Sequence, residues 1–452
     1  MNLITQAKES ENNPPIGKVL SPFNRFIEHE ASSGILLCFM TVVALVWANS
    51  PYGEGYFTLW QTPVIIGIGE AVLEKPLLKW INDGLMAVFF FVVGLEIKRE
   101  LMVGELSGPR QALLPVVAAL GGMLVPAGLY LFFNYGRSGE MGWAIPMATD
   151  IAFALGILAL LGDRVPLALK VFLVAFTIVD DLGSILVIAF FYSDHIITTQ
   201  LLVAGICLLC LIAANALGFR HPIIYSLIGI GGVWLAFLLS GIHATIAGIL
   251  VALTIPARPR ICRREFLQKV ETFMGVFKRE GTPSSPVLAS EKQAEAAEAV
   301  KVSGELVQTP LQRLEHILGP WVAFGIMPLF ALANAGIVFK EDFTFMLSHT
   351  VPMGIMVGLV IGKQVGITVF TWLAVRLGLG KLPEGVTWRQ IYGVSWLGGI
   401  GFTMSIFITN LAFQDTEIIT GAKAGILVAS LIAGFVGWTI LKLNKVKVEQ
   451  DS

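Results

Sequence analysis

The stretch Val171–Tyr192, VFLVAFTIVDDLGSILVIAFFY, constrains this chain more than any other. Its 22 residues are apolar apart from a few hydroxyls and two adjacent carboxylates, Asp180 and Asp181, at its middle. As a helix it rises about 33 Å, one hydrocarbon thickness, which predicts a membrane span. Both acids then lie near the midplane, where an ionised carboxylate is costly and ordinarily has a function. A pair buried only for helix packing is the alternative, but two neighbouring acids are harder to account for in that way.

Of the 452 residues, 55% are hydrophobic and 14% charged, with a mean hydropathy of +0.76. Soluble domains carry roughly 25% charged residues, so the composition points to an all-α polytopic membrane protein and away from a soluble enzyme. A net charge of −1 offers no electrostatic footprint for a nucleic acid. Four cysteines supply no disulfide framework. Cys207 and Cys210 form a C-x-x-C, but inside LLVAGICLLCLIAA the spacing is one turn of small hydrophobic residues. The polar N-terminal segment, residues 1–32, does not read as a cleavable signal peptide, so the first span is expected to direct insertion.

Apolar windows fall at 33–49, 78–97, 113–133, 143–161, 168–192, 199–218, 223–240, 242–256, 317–338, 352–375, 391–413 and 421–441, which predicts about twelve transmembrane helices. Eight precede a long internal loop at 257–312, four occupy 313–441, and a short tail, 442–452, follows. Lys and Arg are distributed unevenly between alternate connections. Lys98, Arg99, Arg110, Arg164, Lys170, Arg220 and the bases of 257–313 share one side; Lys75, Lys79, Arg137, Lys340 and Lys423 share the other. The bias predicts that both termini are cytoplasmic. Residues 51–77 form the longest external connection, compatible with a small surface hairpin or an irregular loop. The 257–312 loop, basic at its start and charged at EKQAEAAEAV, is expected to be solvated and partly disordered.

Several polar residues stand inside apolar windows. Pro146 precedes Thr149 and Asp150 in WAIPMATDIAFALG, where it disturbs the helix. Lys363 lies at the centre of its window, too deep to snorkel. Gly398, Gly399 and Gly401 cluster mid-span, either as a packing surface or as a point where a helix opens. Residues 113–192 thus hold three spans with a Pro/Thr/Asp interruption in the second, and residues 352–441 hold three with a Gly interruption in the second. The two interrupted spans run in opposite directions. Paired broken helices in inverted three-helix repeats, crossing at the midplane, point to a transporter site.

That site would contain Asp180, Asp181, Thr149, Asp150 and Lys363. Broken helices present charged ends inside the membrane, so Asp150 and Lys363 can serve either as ligands or as compensation for those ends. Carboxylates, a hydroxyl and carbonyls suit a small hard cation. Adjacent carboxylates titrate as a unit, and a cation requires them deprotonated, so ion and proton compete.

ATDIAFALG, TIVDDLG, IGKQVGI, GIGFTMSIFI, WINDGLMAVFFFVVGLEIKREL and SGIHATIAG resemble the NhaA-type Na⁺/H⁺ antiporters, and the similarity runs through essentially all spans. That family is a standard instance of the inverted-repeat architecture, so the two arguments are not independent. The resemblance implies a protein of the cell inner membrane serving pH homeostasis and salt tolerance. It implies Na⁺ or Li⁺ leaving in exchange for more than one external proton per ion, without a cofactor, and therefore electrogenic, pH-activated transport. Asp181 and Asp180 would carry ion and proton, with Lys363 paired to Asp180 when the ion is absent. Glu96, Arg99, Glu100, Glu315 and His316 correspond to the proposed pH sensor, with His243 a further pH-sensing candidate; read from the residues alone, the five are equally orientation anchors at helix ends, and His243 equally a satisfied buried histidine. A homodimer through residues 51–75 is also implied. Gly319 stands where the family often carries a second histidine, and the 257–312 loop is longer than the family pattern.

An intramembrane aspartyl protease needs two acids facing each other across one water, whereas Asp180 and Asp181 diverge by about 100° on one helix. A carrier of another cation or solute is the nearer competitor.

Overall fold

The computed structural model describes residues 30–68, 71–193, 196–279, 291–339 and 347–444. Most of the N-terminal segment, part of the 257–312 loop, Lys340 and most of the C-terminal tail lie outside the described residues. The chain forms two compact units, one of residues 1–89, 100–195 and 320–452, the other of residues 90–99 and 196–319.

In order, the helices are α1 (Glu30–Ala48), α2 (Gly53–Gln61), α3 (Leu77–Val103), α4 (Pro109–Asn134), α5 (Ile151–Leu161), α6 (Leu167–Phe191), α7 (Thr198–Ala216), α8 (Pro222–Ser240), α9 (Thr245–Thr254), α10 (Arg263–Arg279), α11 (Glu291–Val307), α12 (Pro310–Asn334), α13 (Thr350–Arg376), α14 (Trp388–Leu397), α15 (Phe402–Ala412) and α16 (Thr416–Leu443). A 3₁₀ segment, Glu140–Met147, runs into α5. Among the described residues nine helical spans are long and apolar enough to cross a membrane, and up to eleven if each bent pair counts as one. The ten-residue α9 is apolar too. Large apolar side chains such as Phe132, Phe190 and Leu431 are exposed, as a surface in lipid requires and one in water does not tolerate in such numbers. This is a multi-pass membrane protein.

Residues 51–77 hold more structure than a loop. The β-branched run PVIIGI forms β1 (Pro63–Ile68), paired antiparallel with β2 (Ala71–Pro76), Pro63 opposite Pro76 and Ile68 opposite Ala71. The preceding α2 was not expected from the Gly-rich sequence. Its Tyr56 and Trp60, one turn apart, are buried, and Tyr56 Oη donates to Leu332 O at 2.8 Å.

In the larger unit α13 lies along α4. The contact is backbone to backbone: a Cβ on Gly366 would stand 2.1 Å from Gly121 O, and one on Gly121 2.3 Å from Gly366 O. Just before this contact α13 widens into a π turn at Gly358–Gly362, and Lys363 follows it directly. Glycine therefore sets the depth and facing of Lys363.

In the second unit, Lys98 Nζ donates to Leu253 O at 2.6 Å and Asn215 Nδ2 to Thr254 O at 2.8 Å, satisfying carbonyls at the end of α9. The 257–312 loop differs from expectation. Residues 263–279 and 291–307 are helices packed on each other. The face of α11 that is buried carries Gln293, Ala296 and Ser303, residues too small or too polar to register as an apolar stripe.

A Gly366→Ala substitution should destabilise by about 1–3 kcal/mol, because the added methyl meets a rigid carbonyl. Gly128→Ala on α4, where a Cβ meets nothing within 4 Å, should be neutral or stabilising. Thermal denaturation of the two variants in detergent checks the contrast.

Candidate transport site

The two interrupted spans break where their sequences disfavour helix. Pro146 lacks a backbone donor, and after the 3₁₀ segment the chain is extended from Ala148 (φ −73°, ψ 144°) to Asp150 (φ −90°, ψ 95°) before α5 begins. On the other side α14 ends at Leu397, and α15 starts at Phe402, bent by 44°. A Cβ at Gly399 would lie 2.6 Å from Leu359 O, and one at Gly401 2.2 Å from Ser405 Oγ, so this break admits no side chain without displacement.

The breaks cross and satisfy each other. Asp150 N donates to Ile400 O at 2.6 Å, Thr149 Oγ1 to Gly398 O at 2.9 Å, and Ser405 Oγ to Ile145 O at 2.7 Å. Asp150 caps both restarted helices. Its Oδ1 accepts from Phe153 N of α5 at 3.1 Å; its Oδ2 accepts from Thr403 N of α15 at 3.1 Å and from the Thr403 hydroxyl. One carboxylate thus faces two positive helix ends, the compensating role among the two open for it from sequence.

Lys363 reaches this crossing from α13. Its Nζ donates to Asp180 Oδ2 of α6 at 2.8 Å and to Thr149 Oγ1 at 3.0 Å, with both partners of the ion pair fully buried. It also lies 5.9 Å from the Phe176 ring centroid. The lysine therefore engages a carboxylate and a hydroxyl. Asp181 is 5% exposed and follows Asp180 on α6. Among the described residues no three His, Cys, Asp or Glu side chains group as a metal cluster.

Thr149, Asp180 and Lys363 are thus in direct contact, while Asp150 is one residue from that contact and is engaged elsewhere. Of the remaining expected residues, all but Glu100 belong to the second unit. Glu315 of α12 pairs with Arg99 of α3, both partly exposed, and His316 is exposed beside it. Glu96 lies a turn before Glu100, whose carboxylate accepts from Glu105 N at 3.1 Å. His243 sits in the turn between α8 and α9, its carbonyl accepting from Ile246 N at 3.1 Å. Sequence reasoning missed Thr403, which holds Asp150, and Gln364, whose buried amide has neither atom hydrogen-bonded. A hydroxyl two residues after a mid-span Gly cluster was the available signal for Thr403.

Comparison with known proteins bears on what this arrangement serves. A family described as Na⁺/H⁺ antiporter 1 matches residues 24–441. The chain belongs to that family. It is 53% identical to the Na⁺/H⁺ antiporter NhaA of Oleidesulfovibrio alaskensis (strain G20) over 429 residues, covering 95% of each chain. It is 49% identical to Na⁺/H⁺ antiporter NhaA 2 of Syntrophotalea carbinolica, covering 93% of this chain and 96% of that one. For NhaA of Syntrophobacter fumaroxidans the identity is 48%, over 94% and 91%. These are transporters, and the chain is accordingly no enzyme.

Removing one partner of the buried Lys363–Asp180 pair strands a charge, so Lys363→Met should cost about 3–5 kcal/mol of stability. Adding Asp180→Leu should recover most of that loss. A thermal-denaturation double-mutant cycle in detergent checks this; additive losses would contradict it.

Proposed function

We propose that this chain exports Na⁺ or Li⁺ from the cytoplasm in exchange for external protons, by competition for Asp180 and Asp181 under alternating access. The fully buried Lys363–Asp180 contact at the crossing of two broken helices is the observation that carries the reading. Family membership supports it from a separate direction.

With no cation bound, the Lys363 ammonium neutralises Asp180. A cation arriving from the cytoplasmic side meets Asp181 and displaces that ammonium from Asp180. It binds only once Asp181 has given up its proton. Lys363 then loses its counter-charge, and carrying a lysine without one through the membrane is costly. Release of protons from the carboxylate and the lysine gives about two protons per ion, hence electrogenic exchange. Thr149 and the carbonyls at the breaks offer neutral oxygens to a hard cation. Small shifts in the two broken spans suffice to expose the same site to either side, because no hydrogen bond of a continuous helix has to break.

Ligand deprotonation makes transport rise with pH. We assign further pH sensing to Glu96, Arg99, Glu100, Glu315, His316 and His243, of which Arg99 and Glu315 form a partly exposed ion pair. The bias of Lys and Arg supports cytoplasmic termini in a cell inner membrane, where the exchange would serve pH homeostasis and salt tolerance. The β1–β2 hairpin, with Ile65, Ile66 and Val72 exposed, is a candidate surface for homodimer contact.

In liposomes holding an imposed proton gradient, Na⁺ or Li⁺ should collapse the gradient, read by dequenching of a pH-sensitive dye, and K⁺ should not. Asp181→Asn should abolish the response. No Na⁺ or Li⁺ response at any pH between about 6.5 and 9 would overturn the assignment.

A further inference from the structure

We propose that the Ser184 hydroxyl is an additional oxygen of the cation site, holding the transported ion, or one water of its shell, against Asp180. The inference deepens the antiport reading and rests on it.

Three observations converge on Ser184. First, it is 6% exposed, and its Oγ is buried without a hydrogen-bond partner. A buried hydroxyl left so costs roughly as much as a lost hydrogen bond, which argues that it has a partner at some stage of the cycle. Second, it declines the partner that helices normally offer. Thr177 on the same helix donates to Leu173 O at 2.8 Å, and Thr371 and Thr409 likewise donate to carbonyls four residues back, whereas Ser184 makes no bond to Asp180 O. Third, Asp180 Oδ1, the oxygen that Lys363 leaves untouched, is equally buried and equally without a hydrogen bond.

Helix geometry relates these two atoms. Residues 180 and 184 are four apart on α6, so their Cβ atoms are about 5–6 Å apart and face the same way. In angle, Ser184 falls between Asp180 and Asp181, about 40° from the first and 60° from the second. A single oxygen-coordinated ion or water bridges two oxygens at that separation. Ser184 therefore adds a neutral oxygen to two carboxylates, raising the coordination of a small cation without adding charge. A proton, which needs one oxygen, gains nothing from it. The hydroxyl thus favours the ion over the proton in their competition.

The test is transport in proteoliposomes by the wild type, Ser184→Ala and Ser184→Thr, with apparent KM for Na⁺ and Li⁺ measured across pH, and thermal denaturation alongside. Ser184→Ala should raise KM for Na⁺ about tenfold, the usual effect of losing one contact to a charged group, and leave the maximal rate within about twofold. Ser184→Thr keeps the oxygen and should restore KM. Denaturation without Na⁺ should be unchanged in Ser184→Ala, since no protein partner is lost, and stabilisation by added Na⁺ should shrink. Active Ser184→Ala with a wild-type KM overturns the inference and leaves the antiport reading standing. A lowered denaturation temperature without Na⁺ and an unchanged KM marks a packing role and likewise overturns it. A wild type that exchanges neither ion overturns both.

Discussion

The ion pair between Lys363 and Asp180 sets the terms for the rest of the structure. Both groups are fully buried among helices with a lipid-exposed exterior, where an unpaired charge is costly. Such a pair returns its desolvation cost only if the geometry is close and the remaining polar atoms are engaged. The surrounding architecture meets that demand for the lysine and for one carboxylate oxygen, and leaves Asp180 Oδ1 without a hydrogen bond. Gly121 and Gly366 bring α13 onto α4, the π turn at Gly358–Gly362 precedes the lysine, and Thr149 gives it a second acceptor. An ion pair of this kind is a poor way to stabilise a protein and a good way to make one respond to an incoming cation. Under the proposed exchange, the cation offers Asp180 what Lys363 offers it.

Two broken spans provide the place for that exchange. A helix end in a membrane leaves donors and acceptors that lipid cannot satisfy, and each break here satisfies the other. Asp150 serves the N-terminal ends of α5 and α15 together, so it holds the two halves of the crossing in one electrostatic unit. Nothing in that arrangement fixes the two spans as continuous rods would.

Much of this was legible in the residues. Hydropathy gave the spans, because an apolar run about 20 residues long has few other solutions. Pro146 and the Gly398–Gly401 cluster marked both breaks, since each lacks what a helix interior needs. The carboxylate pair and Lys363 stood out by charge alone. Contacts across long separations were not legible: Thr403 on Asp150 spans 253 residues, and nothing local foretells it. Helix α2 was hidden by its glycines, its stability resting on the burial of Tyr56 and Trp60 and on the bond from Tyr56 to Leu332 O. The pairing of α10 with α11 was hidden because a face of Ala, Ser and Gln reads as solvated. Whether Asp150 ligates or compensates is a question of which atoms its two oxygens face, and sequence does not carry that.

Competition between a cation and protons at Asp180 and Asp181 is the central claim, and calorimetry of Na⁺ binding to the purified protein in detergent tests it most directly. Repeating the titration in buffers of different ionisation enthalpy counts the protons released. The account predicts about one to two protons per Na⁺, affinity that rises with pH, and no release from Asp180→Asn combined with Asp181→Asn. Na⁺ binding whose heat is the same in every buffer would contradict it.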